Sequence, residues 1–351
     1  MADKSDDKKD RFLPIGHHWM KEYIAYFSAN LRRYPEKYVS LVFAEPPVSD
    51  DYLIYLCPLC LTNWLVVDKS AYYESSEFSK DHFPPESVGG YNIILTCKNC
   101  NNLAGANVEN SLSQKLERIS FQKNVPNSNL KTKVVFNDVK GWRHAELSIG
   151  KDNQYYFQLK IKKDQALPKA TEEQEKTNNY GKGWKAIITP TSYSETQFTK
   201  ALLKTAYLYC FFNWGYDFIF SNTGQLFRNA ISGLVPYPVV VGELWFDFET
   251  RVQEGHIIHE GLCFISDPQE LEIFIVNIPM INKINNYKCI VPVLIPSPDN
   301  SGIEEMQRIQ SVFKSNPYQN IVIHAVNNAL LHGLSDCYNR TWKDLTKSDS
   351  L

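Results

Sequence analysis

Four cysteines stand in two short pairs that are typical of a metal site. Cys57 and Cys60 form one Cys-x-x-Cys pair, and Cys97 and Cys100 form the second. Zn²⁺ prefers four ligands in a tetrahedron, and each such turn places two thiolates on one side of the ion. The remaining cysteines are scattered among apolar residues, which indicates core positions. The pairs therefore predict a structural zinc ion that is bound by all four thiolates.

Three polar residues near these pairs could do chemistry that zinc alone does not explain. Asp81 and His82 are adjacent between the pairs, and Asn101 follows the last cysteine directly. A neutral imidazole can take a proton from water near pH 7, which makes His82 a candidate general base. Asp81 and Asn101 offer hard oxygen ligands for an ion such as Mg²⁺. Taken singly, His82 is typical of a surface histidine and Asn101 of a helix N-cap, so the prediction depends on their combination.

The order of these residues resembles the HNH (ββα-metal) nuclease family in its zinc-containing form. The family pattern has two cysteine pairs, an Asp-His-x-x-Pro segment, a Gly-Gly loop, an Asn before a strand, and an Asn at the start of a helix. In this chain the pattern reads Cys57-x-x-Cys60, Asp81-His82-Phe83-Pro84-Pro85, Gly89-Gly90, Asn92, Cys97-x-x-Cys100-Asn101 and Leu103-Ala104-Gly105. The match spans residues 57 to 105 of 351.

The resemblance implies a role for each residue of the motif. His82 would be the general base that activates water for attack on a scissile phosphate. Asp81 and Asn101 would hold one Mg²⁺ or Mn²⁺ ion, and Asn92 would orient the ring of His82. Many members of the family have His at the position of Asn101. Because an amide oxygen is a poorer ligand than imidazole for transition metals, the Asn variant favours a hard ion.

We expect an α+β chain in which a ββα-metal (treble-clef-like) zinc module is followed by a mixed α+β domain. Residues 1–50 are predicted to be a disordered start and an N-terminal helical segment. Residues 51–123 are predicted to be the nuclease module, and 130–351 a C-terminal domain for sensing, specificity or oligomerisation. The boundary lies at 124–129, where Asn, Pro and Ser are typical of a linker.

The spacing of apolar residues predicts the individual elements. Helices are predicted at 17–33, 101–119, 195–212 and 303–313. Strands are predicted at 38–43, 52–55, 64–67, 91–96, 133–136, 154–161, 239–248, 255–265, 271–278, 288–295 and 320–325, and a polar loop at 164–182. The most apolar helical stretch, 201–220, contains Lys204 and Asp217, which favours a buried helix over a membrane span.

The net charge and the N-terminal sequence indicate which binding partners and which cellular compartment to expect. The net charge of −2 does not suggest a protein that binds nucleic acid over its whole surface. A basic stretch runs from Lys115 to Arg143, and both phosphate contact and a solvated face are open readings of it. The charged start is not followed by the apolar stretch of a signal peptide. We therefore expect a cytoplasmic protein with no membrane association.

The leading functional hypothesis is a metal-dependent endonuclease that cleaves DNA, with RNA left open as a substrate. HNH modules joined to a second domain resemble bacterial restriction and anti-phage effectors, which implies a role in antiviral defence. The second half could also bind a small-molecule or protein activator of the nuclease. Cutting both strands would require two modules, which predicts a homodimer. The alternative is a non-catalytic zinc module that binds nucleic acid or a protein partner.

Overall fold

The computed structural model describes residues 17–37, 51–69, 77–90, 92–104, 108–136, 141–160, 186–190, 193–235, 237, 260–267, 273–281, 286–293, 307, 311 and 321–326. The predicted disordered start, the polar loop at 164–182 and the strands at 38–43 and 239–248 lie outside these ranges. So do most of the helix at 303–313 and the first half of the strand at 255–265.

The described elements are a mixture of helices and antiparallel strands, which confirms the α+β class. The helices are α1 (His17–Leu31), α2 (Lys98–Ala104), α3 (Asn110–Gln122), α4 (Glu195–Trp214), α5 (Tyr216–Ile219) and α6 (Asn222–Ser232), with a 3₁₀ turn at Glu86–Val88. The strands are β1 (Tyr52–Leu56), β2 (Trp64–Asp68), β3 (Phe78–Phe83), β4 (Asn92–Cys97), β5 (Asn129–Phe136), β6 (Trp142–Ile149), β7 (Tyr155–Lys160), β8 (Ala186–Pro190), β9 (Gly261–Asp267), β10 (Ile273–Ile281), β11 (Asn286–Val293) and β12 (Val322–Ala325).

The strands pair in two hairpins and two larger sheets. β1 pairs with β2 and β3 with β4. One four-stranded sheet has the order β7-β6-β5-β8, and the other has the order β11-β10-β9-β12. Because the pairs within them are antiparallel, each sheet can have one face on the core and one face toward solvent.

Helix α4 is the centre of the core because it is apolar on nearly all sides. Its first turn is capped by Ser194, whose side chain accepts a hydrogen bond from the Gln197 N–H. Phe211 stacks on Phe27 of α1 with ring centroids 4.5 Å apart. The resulting apolar core is continuous from α1 through the hairpins to the β9–β11 strands. It therefore crosses the boundary predicted near residue 124, and the division into domains stays a prediction.

Two details of the chain differ from the sequence-based expectations. The helix predicted at 101–119 is present as α2 and α3, and α2 begins three residues earlier than expected. Residues 105–107, between α2 and α3, lie outside the described ranges. The predicted linker forms turns, in which Val125 N–H donates to Ser120 O and Asn127 N–H donates to Ile149 O.

Among the helices of the described residues, none combines the length and the apolar character needed to cross a bilayer.

Candidate functional site

The four predicted zinc ligands lie together. Cys57 and Cys60 occupy the turn after β1, and Cys97 and Cys100 stand where β4 runs into α2. Their Sγ atoms all lie within 4.8 Å of one another, and none is in a disulfide. Two sulfurs about 2.3 Å from one zinc ion at a tetrahedral angle are about 3.8 Å apart. The Sγ atoms of Cys60 and Cys97 are 3.9 Å apart, so the cluster can hold a metal ion such as zinc.

Hydrogen bonds from the surrounding chain fix the first cysteine turn. The Cys57 N–H donates to the Asn63 carbonyl oxygen at 2.9 Å, which closes the turn between β1 and β2. The Cys97 N–H points at the Cys57 Sγ at 3.4 Å. From α4, the Tyr207 hydroxyl donates to the Pro58 carbonyl oxygen at 2.6 Å. The cysteine cluster is therefore attached to the central helix and not only to its own hairpin.

The β3–β4 hairpin positions the adjacent Asp81 and His82. Asp81 lies opposite Ile94 and His82 opposite Ile93. Successive side chains of a strand point to opposite faces, and the result here is a buried Asp81 beside a half-buried His82. Phe83 is fully buried and meets the Tyr209 ring of α4 edge to face, at 4.9 Å between centroids. This contact holds the end of β3 against the central helix.

The loop between the two strands depends on a glycine. A Cβ at Gly90 would lie 1.5 Å from the Pro84 carbonyl oxygen, so no other residue fits without moving the backbone. The Gly90 N–H also donates to the Pro85 carbonyl oxygen at 3.1 Å. The Gly-Gly element of the motif therefore has a steric role in returning the chain to β4.

Asp81 belongs to a buried cluster of three charged residues that the sequence analysis did not anticipate. Its carboxylate is 2% exposed and accepts a hydrogen bond from the Thr96 hydroxyl at 3.2 Å. The Lys204 ammonium of α4 lies 2.8 Å from Asp81 Oδ2 and 3.0 Å from Oδ1. The same ammonium is paired with the Glu109 carboxylate, just before α3. Two carboxylates thus share one ammonium, and the cluster carries a formal net charge of −1.

The pKa values of Lys204 and Glu109 reflect two opposing effects, burial and the opposite charges nearby. Burial lowers the pKa of Lys204, but the negative charges of Asp81 and Glu109 outweigh burial and leave the pKa above its usual value. Burial raises the pKa of Glu109, and the ammonium that it shares with Asp81 only partly offsets the rise. Lys204 therefore stays protonated at neutral pH, and the Glu109 carboxyl keeps its proton to a higher pH than an exposed glutamate does.

Asn101 attaches α2 to β3. Its amide nitrogen donates to the Ser79 hydroxyl at 2.9 Å and to the Lys80 carbonyl oxygen at 3.0 Å. Because α2 begins at Lys98, Asn101 lies inside the helix and is not its N-cap, which excludes that alternative reading. Both bonds use the amide nitrogen, which leaves the amide oxygen as an acceptor that can face a ligand.

An open cleft of about 590 Å³ brings the predicted residues together with Glu109. Its lining includes Asp81, His82, Asn101, Glu109, Lys80 and Ser113. Asn92 is the first residue of β4 and lies opposite Phe83. The side chain of Asn92 is outside what the structure describes, so its role in orienting His82 stays a prediction.

Glu109 and Lys204 are the residues of the site that sequence reasoning missed. The sequence did hold one signal, a single lysine inside the otherwise apolar stretch 201–212. A buried lysine requires a carboxylate partner, so this position predicts an ion pair without identifying the partner. Glu109 gave no comparable signal because it stands among polar residues.

Comparison with known proteins identifies no matching protein family, no similar characterised protein and no similar solved structure. The cysteine cluster and the cleft are therefore the features that bear on the function of the chain.

Proposed function

We propose that the protein is a metal-dependent HNH-type endonuclease that cleaves DNA phosphodiester bonds, with a ββα-metal module at residues 51–123. The observation that carries the proposal is that Asp81, His82 and Asn101 line the same open cleft. Asn101 also follows a cysteine of the four-cysteine cluster directly. A module that only holds zinc has no need of a carboxylate, an imidazole and an amide at these positions.

His82 is proposed to act as the general base. Its imidazole is half-buried in the cleft wall, where both a water molecule and a phosphate group can reach it. Neutral imidazole accepts the proton that the attacking water loses. Asn92 is proposed to hold the ring of His82 in one orientation.

Asp81 and Asn101 are proposed to hold Mg²⁺ or Mn²⁺, which would polarise the phosphate and stabilise the leaving oxygen. An ionised carboxylate offers about four acceptor positions, and Thr96 and Lys204 occupy three at Asp81. One position on Oδ1 is left for an ion. Glu109 adds a second carboxylate to the cleft, so the donors are all oxygens and suit a hard cation.

A second reading is a non-catalytic zinc module that binds nucleic acid or a protein partner. The observation that favours it is the Lys204 ammonium, which already neutralises the carboxylate proposed as a metal ligand. In this reading the buried cluster only attaches β3 to α4. The two readings differ in whether added Mg²⁺ or Mn²⁺ changes what the protein does.

The wider context of the enzyme is also a proposal. A zinc ion at the four cysteines would hold the module together. The chain beyond residue 130 would serve sensing, specificity or assembly, and a small-molecule or protein activator would raise the basal rate of cleavage. A homodimer would allow cleavage of both strands, and the resemblance to restriction and anti-phage effectors supports a defence role in the cytoplasm.

Divalent-ion dependence tests the proposal. We expect the purified, zinc-loaded protein to cut supercoiled plasmid when Mg²⁺ or Mn²⁺ is added and to stop when these ions are withheld, with zinc content and circular dichroism unchanged. Asn101→Ala is expected to need more of the ion for the same rate, because it removes one ligand. Ser113→Ala changes another wall of the same cleft and is the matched control, which should keep the wild-type ion requirement.

The nuclease proposal fails if folded, zinc-loaded protein leaves plasmid, single-stranded DNA and RNA intact with either ion. It also fails if cutting persists unchanged without added ions.

A further inference from the structure

The sheet formed by β5 to β8 covers α3 with one face and presents the other to solvent. α3 packs against β5. Along β5, Leu130, Thr132 and Val134 are buried, whereas Lys131, Lys133 and Val135 are exposed. This alternation identifies the two faces of the sheet, since side chains two residues apart share a face.

Strand register shows which residues share the solvent side. Directly opposite residues in an antiparallel pair lie on the same face. Trp142 is opposite Val135, and Lys133 lies between His144 and Thr189. His144 is in turn opposite Lys160, and Ser148 is opposite Tyr156. We call the surface formed by Lys133, Val135, Trp142, His144, Tyr156 and Lys160 the open face.

Large aromatic rings are exposed on the open face, where burial does not explain them. Trp142 is 48% exposed and Tyr156 is 49% exposed. The two rings are separated by six positions along β6, which is about 20 Å at the rise of a strand. This distance spans several nucleotides of a nucleic-acid strand.

Positive charge lies between and beside the rings. The Lys133 ammonium is 4.7 Å from the centroid of the Trp142 ring, and the His144 ring meets Trp142 edge to face at 4.6 Å. Lys160, in the same row across the strands, pairs with Glu146 at 3.1 Å. Lys131 and Glu146 are opposite each other, two positions along from Lys133 and His144, and so lie on the same side of the sheet. Together Lys131, Lys133, Lys160 and Glu146 carry a formal charge of +2.

We propose that the open face binds single-stranded nucleic acid, with bases stacked on Trp142 and Tyr156 and phosphates beside Lys133. Exposed aromatics combined with basic side chains on one sheet are the chemistry that binds an unpaired strand. The bases of a duplex are stacked on each other and offer no free ring face at this surface. A second copy of the chain would set the same positive row against itself, which like-charge repulsion opposes.

The basic stretch of the sequence is thereby divided into two parts. Lys115 lies on α3, where it pairs with Glu195 of α4 at 2.9 Å and donates to the Tyr193 hydroxyl, so it is used in the contact between α3 and α4. Lys133 belongs to the open face.

The binding of a nucleic-acid strand to the open face does not depend on the proposed nuclease chemistry, since no residue of the open face lines the cleft.

The test is fluorescence anisotropy of full-length protein with labelled oligo-dT, oligo-rU and a duplex of the same length. A His82→Ala background and a gel of the recovered oligonucleotide exclude cutting as a cause of signal change. We expect both single strands, or one of them, to bind more tightly than the duplex. Trp142→Ala is expected to weaken binding about 5-fold to 150-fold, the range for loss of one base–aromatic stack. Lys133→Gln is expected to lower the slope of log affinity against log salt by about 0.7.

Tyr156→Ala and Tyr155→Ala form a matched pair. Both tyrosines are exposed residues of β7, but they point to opposite faces of the sheet. Tyr156→Ala should weaken strand binding and Tyr155→Ala should not. The proposal is overturned if the two variants behave alike, if wild type binds no single strand, or if a concentration-dependent dimer dissociates in Trp142→Ala.

Discussion

Removal of the metal from the four-cysteine cluster is expected to unfold the core around β1, β4 and α4. Cys57 and Cys97 are buried in that core, and the Tyr207 hydroxyl holds the first cysteine turn against α4. A structural zinc site supplies an apparent free energy of about 10–16 kcal/mol at neutral pH. A whole domain is stable by only about 5–15 kcal/mol, so the chain without metal should not stay folded.

Zinc content and thermal unfolding measure this effect. We expect about one zinc ion per folded chain, and a chelator strong enough to remove the ion should abolish the cooperative unfolding transition. Cys57→Ala should lose the ion and the transition together. Cys289→Ala alters a buried cysteine of β11 outside the cluster, so it should keep the ion. A metal-free chain that melts like the metal-loaded chain would contradict the account.

Removal of the Lys204 ammonium is expected to cost about 3–5 kcal/mol of unfolding free energy. Lys204→Met keeps the apolar stem but leaves the buried carboxylate of Asp81 and the half-buried carboxylate of Glu109 with no cation between them. The two negative charges then repel each other at a partly buried site, where water screens them less than at the surface. Urea unfolding at neutral pH measures the loss, and cleavage should fall as well because Asp81 loses its position.

Lys200→Met is the control for Lys204→Met. Lys200 lies one turn earlier on α4 and is only half-buried, so its substitution should change the unfolding free energy by a few tenths of a kcal/mol. The double variant Asp81→Asn with Lys204→Met should recover about 1–3 kcal/mol relative to the sum of the single changes. If Lys204→Met and Lys200→Met were equally stable, the buried cluster would have no energetic role.

The cysteine cluster could be predicted from the sequence because its geometry is local. A Cys-x-x-Cys turn fixes two thiolates within four residues, and two such turns complete a tetrahedron wherever they meet. Helix α4 could also be predicted, because its apolar run is long enough for a buried helix. Both predictions depend on residues that are neighbours in the chain.

Strand β3 could not be predicted, because its pattern contradicts that of a strand. Its residues read Phe-Ser-Lys-Asp-His-Phe, and the charged Asp81 is on the buried side. The burial is stabilised by Lys204, which is separated from Asp81 by 123 positions in the chain. Strand β6 was missed for a related reason, since both of its faces carry large or charged side chains. In such strands the order of buried and exposed residues depends on what packs against each face. The residues of the strand itself do not show this.

The most direct test of the central claim is plasmid cleavage in Mg²⁺ by wild type, His82→Ala and His324→Ala. His324 is an exposed histidine of β12 outside the cleft, so it controls for the loss of an imidazole. With folding and zinc content matched, we predict that His324→Ala cuts at the wild-type rate. His82→Ala should be slower by about 10²-fold to 10⁴-fold, the usual contribution of a general base. Equal cleavage by His82→Ala and wild type would contradict the assignment of the cleft as the active site of a nuclease.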